Sequence, residues 1–569
     1  MRIVMEDGLE IPMRDGTVLH AVRYRPDGAG PLPTVIRRTP YGALGGPGGR
    51  SVDAVRLVGA GYHLLVQDVR GRFRSGGTFT PFVHEAADGA DTVEWVAAQP
   101  WCDGTVGMFG RSYEGFAALL AAGAGTAALR AIVPHVAPAD SYEGFTHQGG
   151  AFQLGSQLYW VLYDILYDGD RLDPAAAREV ADALERIDEL YREPWRAMDL
   201  LDRLAPYYRD WLTRPAGDAA WRQGSPNAAY PRMTASALHI GGWHDIFLGG
   251  TLQNYKGIRD HGGSAESRRT SSLLIGPWSH CLTDGIFPQR RYGLSADERA
   301  VDVTGLHIEH FDRHLKGISR GRAGEGRVRL FLTGADRWRT FPDWPVPGTR
   351  ETAWYLSGGP AGTAGGGGTL ADRPAAAGRD RLRHDPHDPV PTAGGATAMP
   401  GMFVGADCGP LDQRAVERRP DVLCYTTAEL TDARTVIGDV WLTAFLSSTA
   451  PDTDIAAKLV DVGPDGRAEL LCDGIQRVRH RASATPTTPL TPDQVVEVDV
   501  WLGAVGHVFA AGHRIRLEIA GSNAPRFDVH PGTWDGSVPL DEVRPVVDNT
   551  VHHGGAHASR LRLPVLTAG

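Results

Sequence analysis

The sequence lacks any window of about 18 consecutive apolar residues, so no membrane-spanning helix is expected in its 569 residues. Cysteine is scarce: Cys102, Cys281, Cys408, Cys424 and Cys472 are odd in number, widely scattered and without a C-x-x-C pair, which argues against both a disulfide framework and a zinc site. No long basic run interrupts a chain of net charge −10, so the electrostatic footprint of nucleic-acid binding is missing. The densest basic cluster, Arg70-Gly71-Arg72-Phe73-Arg74, follows a strand and reads as a loop beside an active site or a structural turn rather than a phosphate site. No repeat of roughly 20–50 residues appears, which removes solenoid architectures. The opening Met1-Arg2-Ile3-Val4-Met5-Glu6-Asp7 has acids where a signal peptide needs its apolar region, so a cytoplasmic enzyme is expected.

What is present is a globular composition, 42% hydrophobic and 22% charged, in a chain long enough for about three domains. The first third alternates strands (Leu19 to Tyr24, Thr34 to Arg38, Tyr62 to Val69) with helical stretches such as Ala86 to Val96, which predicts a parallel sheet covered on both faces. From about Tyr142 to Tyr230 the pattern is helical with no strand interrupting it, as an inserted cap would be. Strands resume at Ser236 to Gly242 and Ser272 to Gly276. The pattern turns to β around Phe331 to Gly334, and Ala361 to Gly368 reads as a flexible surface loop or linker. Beyond it, Val496 to Leu502 and Arg514 to Ile519 alternate apolar and charged residues in the manner of a sandwich or jelly roll.

The chemistry centres on Val106-Gly107-Met108-Phe109-Gly110-Arg111-Ser112-Tyr113-Glu114-Gly115, a strand, tight turn and helix start. A serine on such a turn is how an α/β-hydrolase exposes its nucleophile, although Glu114 holds the place of the last glycine in G-x-S-x-G and glycine–serine turns are commonly structural. A serine nucleophile needs a base and an acid that orients it, in the chain order Ser, acid, His, on loops at the carboxyl ends of later strands. Asp245 follows the strand ending Gly242-Trp243-His244, and His280 follows Leu273 to Ser279. Singly, each has a bland alternative, a helix cap or a chance histidine; together and in order they point to a relay. His310 and His314 lie in a helical pattern, and His244 reads as a pocket-lining or packing residue because no ligand cluster supports a metal. The amide of Tyr113 is one expected donor to an oxyanion. Tyr41, in Arg38-Thr39-Pro40-Tyr41-Gly42, could supply a phenol O–H as the second or be a packed aromatic.

These segments, with Gly276-Pro277-Trp278-Ser279-His280, Pro451-Asp452-Thr453-Asp454 and Gly512 to Ile519, together resemble the cocaine esterase / X-prolyl dipeptidyl aminopeptidase-like (CocE/NonD) hydrolases, relatives of the α-amino acid ester hydrolases. That family's G-x-S-Y-x-G motif accounts for Glu114. The resemblance implies an α/β-hydrolase domain over 1–141 and 233–345, a helical cap over 142–232 and a galactose-binding-like jelly roll over 346–569 that helps close the acyl pocket. It implies Ser112, Asp245 and His280 as catalytic residues, Tyr41 and Tyr113 as the oxyanion hole, and Trp160 and Phe247 as pocket residues, with no metal and no cofactor. The α-amino acid ester hydrolases hold a substrate ammonium with carboxylates just after the triad acid. Here Ile246-Phe247-Leu248 follows Asp245, which favours an uncharged aromatic or aliphatic acyl group, Glu114 and Asp140 being the acids still available.

The expectation is a serine esterase or amidase acting on a small molecule, with neither nucleic acid nor membrane as partner and a homodimer left open. Two alternatives stand beside it. One is an X-prolyl dipeptidyl aminopeptidase, α-amino acid ester hydrolase or acyltransferase on the same residues; the other is a carbohydrate-binding protein with an idle hydrolase domain.

Overall fold

The computed structural model describes residues 2–45, 52–319, 326–401, 405–406, 408–534 and 545–567. Its first sheet has ten strands: β1 (Ile3–Pro12), β2 (Val18–Pro26), β3 (Leu32–Thr39), β4 (His63–Asp68), β5 (Cys102–Arg111), β6 (Leu129–His135), β7 (Ser236–His244), β8 (Ser272–Ser279), β9 (Val328–Leu332) and β10 (Arg337–Phe341). Their order across the sheet is β1-β2-β4-β3-β5-β6-β7-β8-β9-β10. Pairing is parallel from β4 to β9 and antiparallel at both edges. The central strands are buried on both faces, β7 along its whole length, which is why they read as unbroken apolar runs rather than as alternation. β1 is the strand that the sequence pattern hides: a register shift between Glu6 and Leu9 breaks its alternation.

Helix Tyr113–Gly123, which follows β5, is buried along its whole length, so its small apolar residues need no polar face. The segment between β6 and β7 carries helices Leu154–Tyr167, Pro174–Glu185, Ile187–Arg192, Met198–Leu204 and Tyr207–Thr213. Contrary to the expectation of an uninterrupted helical stretch, it opens with a small hairpin, His147–Gln148 against Ala151–Phe152. Two-residue strands carry too little alternation to stand out from their flanks. These helices pack on the elbow side of the sheet in one aromatic-rich core with Tyr113, Phe116, Phe145, Phe152 and Phe247.

From Thr349 onward the regular structure of the described residues is β apart from two short 3-10 helices: an eleven-stranded sheet system built on the long strand Arg434–Ser448, which pairs with Val496–Phe509, Val547–His553 and Arg560–Leu566. The glycine-rich stretch after Gly358 is not a linker. It closes the hairpin between Thr349–Gly358 and Gly368–Ala371, Ala361 is fully buried, and Thr363 and Ala364 donate to the carbonyls of Val422 and Glu417. Glycine composition marks a turn; the backbone hydrogen bonds that hold it come from Val422 and Glu417, remote in sequence, and leave no local trace. The β domain meets both other layers. Just past β9, Thr333 N–H donates to the Gly506 carbonyl and the Thr333 carbonyl accepts the Val508 N–H, Phe152 N–H donates to Asp528 Oδ1 at 2.7 Å, and a side chain at Gly155 would strike Met399 Sδ.

Candidate active site

Four loops at the carboxyl ends of parallel strands converge: those after β3, β5, β7 and β8 carry Tyr41, Ser112, Asp245 and His280. Ser112 opens helix Tyr113–Gly123 at φ 59° and ψ −124°. A non-glycine residue held there stores about 1–3 kcal/mol of strain, offset by its surroundings. Ser112 N–H donates to the His135 carbonyl at 2.9 Å, pinning the turn to β6. Gly110 makes the turn sterically possible, since a Cβ there would lie 2.3 Å from Cβ of Glu114.

His280 Nε2 stands 2.9 Å from Ser112 Oγ, and its Nδ1 stands 2.7 Å from Asp245 Oδ2. Asp245 is buried, and its Oδ1 accepts the Phe247 N–H at 2.7 Å, so the carboxylate is held at both oxygens. The Phe247 ring meets the imidazole edge-on at 5.3 Å between centroids. β7 and β8 can bring their loops this close because Gly242 has no side chain; a Cβ there would sit 2.3 Å from the Trp278 carbonyl oxygen. The arrangement suits proton transfer from a serine hydroxyl to an imidazole whose other nitrogen is fixed by a carboxylate.

Two donors flank Ser112. The Tyr113 N–H is the first of its helix and has no intrahelical acceptor. Tyr41 accepts the Trp160 indole N–H on its hydroxyl at 3.1 Å, leaving its own proton to be donated. Burial, reinforced by Asp164, pushes the Tyr41 phenol far above its usual range, so it stays a protonated donor. The Tyr113 side chain points elsewhere: its hydroxyl donates to Glu85 at 2.9 Å and its ring stacks on Phe82.

Ser112, Tyr41, Tyr113, Trp160, Phe247 and His280 all line one cavity of about 250 Å³, so the residues singled out in the sequence are brought together. Phe145, Tyr159, Tyr163 and Ile246 complete its apolar wall, and Ala398 of the β domain closes one side. Sequence reasoning missed Arg111 and Glu298, which also line it. The one signal available for Arg111 was its place beside the nucleophile; Glu298 had none.

Glu114 and Asp140, left open as acids for a substrate ammonium, do not line the cavity. Glu114 is buried with its carboxylate 3.4 Å from Arg37 Nε, and Asp140 accepts the Tyr142 and Glu143 N–H groups and the Asn227 amide. His244 packs against Tyr292, which lies 3.1 Å from its Nε2, and burial drops its pKa to about 3. His310 and His314 lie on helix Val303–Leu315, away from the serine, with His310 bonded to the Ser236 carbonyl. The basic cluster is structural: Arg70 pairs with Asp88 and Asp15, while Arg72 binds the Pro40 carbonyl and Asp164 of the cap. Among the described residues no group of three or more His, Cys, Asp or Glu side chains is gathered as a metal site.

Residues 15–282 match the pattern of the X-Pro dipeptidyl-peptidase (S15 family), and residues 321–562 that of the X-Pro dipeptidyl-peptidase C-terminal non-catalytic domain. The chain is 38% identical to the cocaine esterase of Rhodococcus sp. (strain MB1 Bresler), over 98% of this chain and 97% of that protein. Among solved structures it is similar in fold to an aminopeptidase from a marine sediment Thaumarchaeota archaeon, with a TM-score of 0.83, 23% identity and coverage of 99% and 96% of the two chains. An α-amino acid ester hydrolase aligns with a TM-score of 0.79, again at 23% identity and over 99% and 96% of the chains.

Proposed function

Because the chain belongs to the cocaine esterase / X-Pro dipeptidyl-peptidase-like (CocE/NonD) serine hydrolase family, we propose that it hydrolyses small carboxylic esters through an acyl-enzyme formed on Ser112. It is a serine hydrolase acting on esters. The observation that carries the finer reading is the hydrogen-bonded series Ser112–His280–Asp245 opening into an apolar cavity. Ser112 Oγ attacks the carbonyl carbon as His280 Nε2 takes its proton. Asp245 holds Nδ1 and stabilises the imidazolium, and the oxyanion is met by the Tyr113 N–H and the Tyr41 O–H. His280 then protonates the leaving alcohol, and water repeats the cycle in the deacylation half.

The acyl group is uncharged and aromatic or aliphatic. In support, Phe145, Trp160, Ile246 and Phe247 line the cavity, and its one carboxylate, Glu298, faces Arg111 rather than open space. An ammonium group there would lack a carboxylate partner and pay desolvation uncompensated. A cytoplasmic setting is part of this reading, supported by the thiols of Cys102, Cys281, Cys424 and Cys472, which stand outside any disulfide, three of them buried.

A panel of p-nitrophenyl esters with benzoyl, butyryl and α-aminoacyl groups, together with an X-Pro dipeptidyl arylamide, tests the reading. The benzoyl and butyryl esters are expected to give the highest kcat/KM. Preference for the α-aminoacyl ester or the dipeptidyl amide would move the chain to the aminopeptidase or amino ester branch.

A further inference from the structure

We propose that Arg111 is a positioning residue that ties the general-base loop to the nucleophile turn, with Glu298 as its counter-ion. The inference rests on the assignment of Ser112 and His280 as nucleophile and base.

Arg111 is the last residue of β5 and precedes Ser112. Its guanidinium reaches across to the loop after β8, where Nε and Nη2 both donate to the His280 carbonyl oxygen, at 3.2 and 2.5 Å. Nη1 stands 3.0 Å from His135 Nε2. Burial, and after it the Arg111 charge, hold the His135 imidazole well below its usual pKa, so it is a neutral acceptor for that N–H. The same Nη1 lies 3.8 Å from the Glu298 carboxylate. Glu298 is itself attached to the base loop, its N–H donating to the Thr283 carbonyl at 2.8 Å. Burial raises the Glu298 pKa and the Arg111 charge opposes the rise, as expected for a carboxylate whose compensation inside the protein comes from that guanidinium.

The base loop is therefore held at two points, directly by Arg111 at His280 and through Glu298 at Thr283. The first originates from the residue adjoining the nucleophile; the second is a backbone bond of Glu298, whose carboxylate lies 3.8 Å from the same guanidinium. A change in the position of the His280 backbone is a change in the 2.9 Å separation of its Nε2 from Ser112 Oγ. Asp245 and the Phe247 ring restrain the imidazole itself, while the backbone at His280 is restrained by the Arg111 fork together with the loop's own turn, in which Ser279 N–H donates to the Leu282 carbonyl and Leu282 N–H to Ser279 Oγ. A planar fork with two N–H groups on one carbonyl oxygen is geometry that a lysine ammonium does not reproduce. Arg111 borders the cavity, but its guanidinium is engaged by the His280 carbonyl and by His135, so the role assigned to it is exercised through His280.

The test uses the full chain with Arg111→Met, Arg111→Lys, Arg111→Gly and Glu298→Gln, assayed on a neutral aryl ester. Each preparation is titrated with a fluorophosphonate so that kcat refers to competent sites. A base misplaced by about 1 Å can cost on the order of 10² in rate. Arg111→Met is expected to lose that much in kcat and in kcat/KM alike, with KM little changed, because no ground-state contact to the ester is removed. Arg111→Lys recovers only part of the loss, and Glu298→Gln shows a smaller loss of the same kind. Arg111→Gly vacates space bordering the cavity, so added guanidinium ion should restore rate saturably while leaving the wild-type enzyme unchanged.

A kcat per titrated site in Arg111→Met equal to wild type overturns the proposal, as does a raised KM at unchanged kcat, which would make Arg111 a substrate-binding residue. Should Arg111→Met fail to fold, the folded Arg111→Lys enzyme decides: full kcat per site contradicts positioning and a depressed one supports it. The underlying assignment is tested separately by Ser112→Ala, in which the burst is expected to be absent whichever residue stands at position 111.

Discussion

At the scale of single residues, Tyr41 has the least obvious role. Its side chain is a phenol in a loop with no glycine run, and by type alone it could equally have been a packed aromatic. Its environment supports the donor role proposed for it. The Trp160 N–H occupies an acceptor site on the oxygen, burial keeps the phenol protonated, and the remaining O–H borders the cavity that Ser112 opens into. Tyr41→Phe is expected to lower kcat by about 10²–10³ with KM nearly unchanged, the effect of losing one oxyanion donor. Trp160→Phe should cost less, and adding it to Tyr41→Phe should cost little more, because the indole acts through the phenol. Steady-state kinetics on the two single variants and the double variant measure this; an additive double variant would separate the two residues.

The candidate relay was readable from the sequence because its members obey a topological rule. Each follows a parallel strand, in an order that the elbow fixes, so position along the chain stands in for position in space. Arg111 obeys no such rule. Its bond to the His280 carbonyl spans 169 residues and depends on a backbone oxygen that carries no residue identity. Glu298 is further hidden, an acid at the start of a short helix that reads as an ordinary first-turn carboxylate.

At the scale of elements, the loop after β4 joins the loop that carries Tyr41 to the cap. Arg72, in the basic cluster that follows β4, donates through Nε to the Pro40 carbonyl at 3.0 Å and through Nη2 to the carbonyl of Asp164 at 2.8 Å. Both Arg72 and Asp164 are buried. Burial pushes the Asp164 carboxyl up to about 6, and the Arg72 charge opposes that rise. Removing one partner of such a pair costs about 3–5 kcal/mol, because the other is left uncompensated. Arg72→Ala is expected to lower the urea midpoint by a corresponding amount and to reduce kcat as well, since Pro40 adjoins Tyr41. Equilibrium unfolding of wild type and variant checks the first, and turnover per titrated site the second. The element pattern that predicted the sheet also explains what it concealed: the buried central strands are continuous apolar runs, whereas the bulged β1 and the two-residue hairpin of the cap have too little periodicity to register.

At the scale of the whole molecule, the β domain is part of the site's enclosure, contributing Ala398 to the cavity wall and Met399 to the seat of the first cap helix. Folding also buries many imidazoles in neutral form. Burial holds His239 and His244 at about 3 and His307 and His314 at about 4, and drives His135, His147 and His310 well below the ordinary value. Each is depressed in the folded state, so as pH falls below about 6.5 the unfolded chain takes up protons that the folded chain does not. Eight carboxyls raised by burial, Asp164 and Glu518 among them, work in the opposite sense, but with His63, His384, His480 and His552 the depressed imidazoles among the described residues number eleven. Stability should therefore decline as pH is lowered from about 6.5 toward 4, and thermal melts across that window should show a falling Tm. A Tm that rises over the same window would mean that these histidines are charged in the folded protein.

The reading as a whole stands on Ser112 as the residue that becomes acylated. Treatment with a fluorophosphonate, peptide mapping of the adduct, and a parallel burst assay on wild type and Ser112→Ala address that point. The expected result is a single adduct on the peptide containing Gly110 to Gly115, phenol release falling in proportion to labelling, and neither adduct nor burst in Ser112→Ala at an unchanged Tm. An adduct on a different serine, or a full burst from Ser112→Ala, would contradict it.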